Sequence, residues 1–287
     1  MHMNSGAALP VSLPTYARPT TLTEAVSLMS KGGWRVLAGG TDIYAGAGRT
    51  LTGSVLDLSD ISGLSDITGG PGLRIGAATT WATIACAALP PALQALQQAA
   101  VLVGGRQIQV AGTIGGNLCN ASPAADGVPP LLSLDAEVEL ASASGLRRLA
   151  LADFLTGPRR TDLRPGEILV AVLIPEASLS GRSAFRKLGA RTHLVISIAM
   201  VAARLVVAGG RVTCAAIAVG SCSAVAARLP LVEAALQGAL VAEAAARVTE
   251  EGVAAALTPL DDIRGTAAYR QIAALELVRR AVAEALA

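Results

Sequence analysis

The chain has 287 residues, enough for two domains or for one domain with an appendage. Hydrophobic residues make up 52% and charged residues only 15%, so a sizeable core can be buried. A formal net charge of +2 leaves neither an electrostatic footprint for nucleic acid nor a polybasic membrane surface.

In chain order, Thr21-Leu22-Thr23-Glu24 has the form of a capping box and predicts a helix through about Ser30, ended by Lys31-Gly32-Gly33. Arg35 to Ala38 reads as a short buried strand feeding a glycine loop, and Ser54 to Leu58 as another, which together suggest a compact βαβ-like unit. A second unit opens with a strand at Leu73–Ala77 and a helix at Thr80–Ala88. Pro90-Pro91 starts a further helix to about Leu102. Pro129 to Leu134 reads as a helical turn, Ala136 to Leu140 as a strand, Leu151 to Leu155 as a short helix, and Glu167 to Ile174 as a strand stopped by Pro175. Proline, glycine and serine gather between Pro175 and Gly181 and mark a boundary. Beyond it, Ser183–Lys187, Leu194–Val207 and Arg211–Val219 read as strands, the last two joined by a hairpin at Gly209-Gly210. Helices at Leu229–Gln237, Ala242–Glu250 and Thr266–Leu286 follow, the last with Ile272, Leu275, Val278, Val282 and Leu286 at helical spacing.

Several functional classes are disfavoured. The longest transmembrane candidate, Leu194 to Ala203, falls short of the roughly 20 apolar residues that cross a bilayer. No charged n-region precedes an apolar stretch at the N-terminus, so no secretory signal is expected. Cys86, Cys119, Cys214 and Cys222 show no CxxC spacing, which argues against a zinc or iron–sulfur site built by this chain and fits reduced thiols in a cytoplasmic protein. The G-x-G-x-x-G and G-x-x-x-x-G-K-[ST] fingerprints are both absent. Gly46-Ala47-Gly48 begins the first, but Leu51 occupies its third glycine position.

Two other glycine-rich segments carry the chemistry: Leu37-Ala38-Gly39-Gly40-Thr41-Asp42-Ile43 and the run Thr113-Ile114-Gly115-Gly116-Asn117-Leu118-Cys119-Asn120-Ala121-Ser122-Pro123-Ala124-Ala125-Asp126. Glycine lets the backbone bend tightly and present successive N–H groups to an anion such as a nucleotide diphosphate. By itself, Gly39-Gly40 also suits an ordinary tight turn. The second segment crowds hydroxyl, amide and carboxylate groups among Ile114, Leu118 and Pro123, a mixture that suits a polar ligand in a partly buried cleft. Two such segments from distant parts of the chain suggest a ligand held from both sides.

These segments resemble the two FAD-clamping loops of the flavoprotein subunit of molybdenum hydroxylases, the xanthine dehydrogenase and carbon monoxide dehydrogenase family. Ile75–Thr80, Phe185–Arg191 and Asp262–Arg270 match in order, so the resemblance spans nearly the whole chain. It implies an α+β fold. A vanillyl-alcohol-oxidase-type, two-part FAD-binding domain at 1–177 (parts of about 1–58 and 59–177) would precede a smaller α/β C-terminal domain at 178–287 with a three-stranded antiparallel sheet. It also implies a cytoplasmic enzyme of three subunits: a large one with molybdopterin, a small one with two [2Fe–2S] clusters, and a medium one, like this chain, with FAD. Electrons would pass through FAD to NAD⁺, oxygen or a quinone. The absence of a cysteine-rich insertion sets the chain apart from members whose flavin subunit carries an extra [4Fe–4S] cluster.

Carried onto this sequence, the resemblance places Val36, Leu37, Ala38, Gly39, Gly40, Thr41, Asp42 and Ile43 in the first loop, with its N–H groups on the diphosphate. Thr113, Gly115, Gly116, Asn117 and Asn120 would serve the diphosphate and ribityl portions, and Asp126 the adenosine side. Ile43 and Val103 would lie near the isoalloxazine faces. Leu169 and Lys187 would lie near the ring and its carbonyl edge, where a lysine stabilises negative charge. Cys119 stands where alanine is usual and reads as a small packed residue, Arg191 and Arg264 as structural cations, and the Arg159-Arg160 pair as surface charge. No catalytic or metal-ligating residue is expected in this chain. Two rivals stay open: a stand-alone flavin oxidase, and a scaffold subunit that has lost FAD.

Overall fold

The computed structural model describes residues 15–47 and 52–287. The N-terminal stretch read above for a leader, and Gly48 and Leu51 of the partial fingerprint, lie outside the described residues.

The first unit is a small parallel sheet. Trp34–Leu37 and Ser54–Asp57 run side by side, and Tyr16–Ala17 joins the far side of Ser54–Asp57. The expected N-cap forms: Thr21 Oγ1 accepts from the Glu24 N–H at 3.2 Å, while the Glu24 carboxylate reaches one residue beyond the cap, to the Thr20 N–H at 3.4 Å. The resulting helix, Leu22–Met29, buries Ala25 and Val26 against Leu56, Leu58 and Ile61.

The second unit is a five-stranded antiparallel sheet in the order Ile67–Gly70, Gly72–Gly76, Ile168–Pro175, Glu137–Ser142, Gly145–Ala150. Its middle strand reads as a continuous apolar run because both of its faces are covered. Ile168 and Val170 pack on the first unit, while Leu169, Val172 and Ile174 pack on a helical core containing Trp81, Ile84, Leu93, Leu96, Ile114 and Leu118.

The C-terminal unit is antiparallel, with Arg182–Leu188, Ala199–Ala208 and Arg211–Gly220 adjacent in that order. Gly209 and Gly210 both have positive φ (56° and 71°), as a two-residue hairpin turn with matching twist requires. The helix Ala267–Leu286 covers this sheet with Ala274, Val278, Ala281 and Val282.

Three local expectations are corrected. The C-terminal sheet has a fourth strand, Ala227–Arg228, whose two residues are too few to show a periodicity. The strand expected from Leu194 starts at Ala199, because Leu194 adopts φ 53° and its carbonyl is held by the Arg191 guanidinium in a local turn. The expected helix at Ala242–Glu250 is divided into a 3₁₀ segment, Val241–Arg247, and a separate helix, Glu250–Ala254, capped by Thr249. Among the described residues, no helix is long and apolar enough to cross a membrane.

Buried polar contacts join the C-terminal unit to the rest. Arg204 donates from Nε to the Ser133 carbonyl at 2.8 Å, and Arg228 from Nη1 to the Leu132 carbonyl at 3.0 Å. Arg204 thereby satisfies a carbonyl at the end of the helix Val128–Ser133 that has no partner within it, whereas Arg228 adds a second donor to a carbonyl that also accepts from the Asp135 N–H at 3.1 Å. Asp135 lies between the two guanidiniums, 3.2 Å from Arg204 and 2.6 Å from Arg228.

Candidate functional site: a cleft between two glycine-rich turns

A cleft of about 370 Å³ opens where the first unit, the five-stranded sheet and the helical layer meet. The first glycine segment leaves its strand at Leu37, turns at Gly40 with φ 71°, and continues as the short helix Thr41–Gly46. The second turns at Gly112–Thr113 and continues as the helix Ile114–Asn120. Both segments are thus turns into helices rather than open loops. Each brings successive N–H groups to one end.

The two turns differ in what they leave free. In the second, Ile114 N–H donates to the Thr79 carbonyl at 3.0 Å and Gly115 N–H to the Ala77 carbonyl at 2.9 Å. Gly116 N–H bonds Thr113 Oγ1 at 3.1 Å, and Asn117 N–H the Thr113 carbonyl at 3.0 Å. In the first, Tyr44 N–H bonds the Gly40 carbonyl at 2.9 Å, but the N–H groups of Gly39, Gly40, Thr41, Asp42 and Ile43 have no acceptor among the described residues. The first turn therefore supplies free donors. The second supplies a small-residue wall and the side chains of Thr113, Asn117 and Asn120.

Close backbone approach explains the glycines. A Cβ on Gly39 would stand 1.8 Å from the Ala111 carbonyl oxygen, so the first turn lies directly against the chain entering the second. A Cβ on Gly115 would stand 2.7 Å from both the carbonyl oxygen and the Cβ of Ala77. Gly116 is different: among the described residues only Thr113 Oγ1, at 2.9 Å, is near its missing Cβ, and the residue is exposed. Across the cleft the helices are tied by Asn120, whose Nδ2 donates to Asp42 Oδ1 at 2.8 Å.

Of the sequence-expected residues, Val36, Ala38, Gly39, Gly40, Thr41, Asp42, Ile43, Val103, Thr113, Gly115, Gly116, Asn117, Asn120 and Leu169 line this cleft. Three do not. Leu37 is buried beneath the turn. Asp126 and Lys187, expected against the ligand, meet each other: Lys187 Nζ lies 2.6 Å from Asp126 Oδ2, and Ser197 Oγ donates to Asp126 Oδ1 at 2.6 Å. Burial pushes the Asp126 carboxyl above its usual range, against the opposing pull of Lys187 and Ser197. This pair joins the C-terminal sheet to the turn after the second glycine segment. Lys187 Nζ also reaches the Leu102 carbonyl, at 3.4 Å, beside Val103 in the wall.

Sequence reasoning missed part of the lining, including Arg35, Ala77, Ala78, Trp81, Cys119 and Glu167. For Ala77 and Ala78 the signal was present, since they belong to the matched segment Ile75–Thr80. Trp81 is one of only two tryptophans and follows that segment at once. Glu167 is held by Arg147 through Nε at 2.6 Å and Nη2 at 2.8 Å, and by the Arg164 N–H at 2.8 Å. The Arg147 fork holds its carboxyl below the usual carboxylate range. The Cys119 thiol is exposed to the cleft, and desolvation by the surrounding wall pushes it up from its ordinary value.

With this geometry in view, comparison with known proteins decides the family. The family model described as the FAD binding domain in molybdopterin dehydrogenase matches residues 9–177, and that of the CO dehydrogenase flavoprotein C-terminal domain matches residues 183–285. The chain belongs to this family of FAD-binding subunits. It is similar to the nicotine 6-hydroxylase medium subunit of Paenarthrobacter nicotinovorans, with 31% identity covering 94% of this chain and 96% of the relative. It is 33% identical to the carbon monoxide dehydrogenase medium chain of Afipia carboxidovorans, over 95% of this chain and 96% of that one. Among solved structures, reconstituted CO dehydrogenase from Oligotropha carboxidovorans superposes with a TM-score of 0.87 at 31% identity, covering 96% of this chain and 98% of that one. Quinoline 2-oxidoreductase from Pseudomonas putida 86 gives a TM-score of 0.85 at 27% identity, covering 96% and 97%.

The residues present fit a flavin dinucleotide. Free N–H groups at a glycine turn suit a diphosphate, and the walls formed by Ile43, Val103, Ile168 and Leu169 suit a flat apolar ring. Asn117 lines the cleft, and its buried Oδ1 has no hydrogen-bond partner among the described residues, an acceptor that a ligand hydroxyl can satisfy.

Proposed function

We propose that this chain is the electron-relay subunit of a molybdenum hydroxylase, with FAD held between the two glycine turns. Bound FAD supplies the exchange between electrons arriving singly and electrons leaving in pairs. The chain supplies grip, shape and exclusion of water. Gly39 to Ile43 orient N–H groups at the diphosphate, Thr113 and Asn117 hold the polar middle of the cofactor, and Ile43, Val103 and Leu169 enclose the ring. Electrons come from the [2Fe–2S] clusters of a small subunit, reduced in turn by a molybdopterin-bearing large subunit. They leave to an external acceptor.

One observation carries the relay reading over that of a self-sufficient oxidase: the acidic groups of the cleft are committed elsewhere or inert. Asp42 is tied to Asn120, Glu167 is tied to Arg147, and the Cys119 thiol is pushed up by desolvation. None is poised as the general acid or base that substrate oxidation on the flavin would require. Reduction of bound FAD by the substrate of the complex tests this, compared by rapid mixing between the three-subunit assembly and the isolated chain. Relay predicts reduction only in the assembly. Equal reduction of the isolated chain would establish an oxidase.

A further inference from the structure

By sequence alone Arg159 is one of a pair of adjacent surface cations with Arg160. The structure gives it a defined place outside the cleft. It lies in the hairpin between Leu155–Gly157 and Arg160–Thr161, with φ 59°. Its N–H donates to the Ala121 carbonyl at 2.8 Å, just past the end of the helix Ile114–Asn120. Its Nη1 donates to the Asn120 carbonyl at 3.3 Å and to Asn120 Oδ1. Asn120 in turn donates from Nδ2 to Asp42 Oδ1 at 2.8 Å, and both Asn120 and Asp42 line the cleft.

We propose that Arg159 is a positioning residue for the cofactor, acting through Asn120 on Asp42. An asparagine amide has one accepting and one donating end. The guanidinium claims the accepting end, so the donating end must face Asp42. Without Arg159 the accepting end loses its partner, and the Asn120 side chain is free to leave Asp42. Asp42 stands in the turn whose free N–H groups receive the diphosphate, so an untethered carboxylate there repels the phosphates and competes for the same donors. The latch keeps that charge aside and joins the two turns across the cleft. This inference rests on the reading that the cleft holds FAD.

The experiment uses Arg159→Gly, chosen because φ 59° suits glycine and the change does not strain the turn. FAD is titrated into cofactor-free wild-type and variant chains and followed by flavin fluorescence. Loss of one exposed, charge-assisted latch predicts a Kd raised about three- to tenfold, an unchanged melting temperature, and recovery in Arg159→Lys. In an Asn120→Ala background, Arg159→Gly should have no further effect. Hydrogen exchange on the cofactor-free chain reads the latch directly: Arg159→Gly should speed exchange of the Tyr44 and Ala45 amides. A Kd within twofold of wild type, an equal loss in the Asn120→Ala background, or unchanged exchange overturns the proposal. If wild type itself fails to bind FAD, the reading of the cleft fails and the proposal falls with it.

Discussion

Gly39→Ala is the sharpest perturbation of the site. The added methyl would stand 1.8 Å from the Ala111 carbonyl oxygen, 2.5 Å from its carbon and 3.0 Å from Gly112 Cα, where ordinary contact begins at 3.4 Å. All three atoms are backbone, so no side chain can swing away, and the two turns must separate. That separation strains the contact between Trp81 N–H and the Gly112 carbonyl, now 3.1 Å, and moves the free N–H groups off their common focus. Overpacking of this kind costs about 1–3 kcal/mol, which corresponds to roughly a five- to 150-fold loss of FAD affinity if the strain falls on the bound arrangement. Equilibrium titration with FAD measures the loss, and thermal unfolding of the cofactor-free chain shows how much strain the fold absorbs. Gly46→Ala is the control: nothing among the described residues lies within 4 Å of its missing Cβ, so FAD affinity should be unchanged. Wild-type affinity and stability in Gly39→Ala would refute the claim that the turns touch through this glycine.

Removing Lys187 (Lys187→Met) leaves Asp126 buried without its cation and should cost about 3–5 kcal/mol of stability. The double variant Lys187→Met/Asp126→Leu should regain much of this in denaturant unfolding, whereas additive losses would show that the pair does not act as a unit. Glu167, with its folded pKa depressed below the unfolded value of about 4.3, contributes stability that is complete above that value and lost as pH falls through the depressed one. Denaturant unfolding from pH 7 to pH 3 should therefore show the gap between wild type and Glu167→Gln closing on the acid side, and a constant gap would contradict the assignment. Trp81 lines the cleft, so FAD binding should quench tryptophan emission strongly in wild type and much less in Trp81→Phe, which keeps only Trp34. Equal quenching in both would place the flavin away from Trp81.

Local chemistry was legible in the sequence wherever a residue's role depends on its near neighbours. The N-cap at Thr21, the hairpin at Gly209-Gly210 and the two glycine segments each encode a backbone conformation within a few residues. The family resemblance then connected the two glycine segments to one ligand. What no local pattern contains is which groups are already in use when distant segments meet. Gly39 is an ordinary turn glycine until Ala111 packs against it, and the second turn satisfies its N–H groups with the Thr79 and Ala77 carbonyls while the first turn leaves its own free. Asp126 and Lys187 lie far apart in sequence, and only packing of the C-terminal sheet brings them together as a buried ion pair. Arg159 looked like solvated charge, and only the hairpin's docking at the end of the second helix brings it to Asn120. Sequence determined the residue chemistry and the bends. Tertiary contact decided which donors and charges stayed available, since a hydrogen bond made inside the protein is one no longer offered to a ligand.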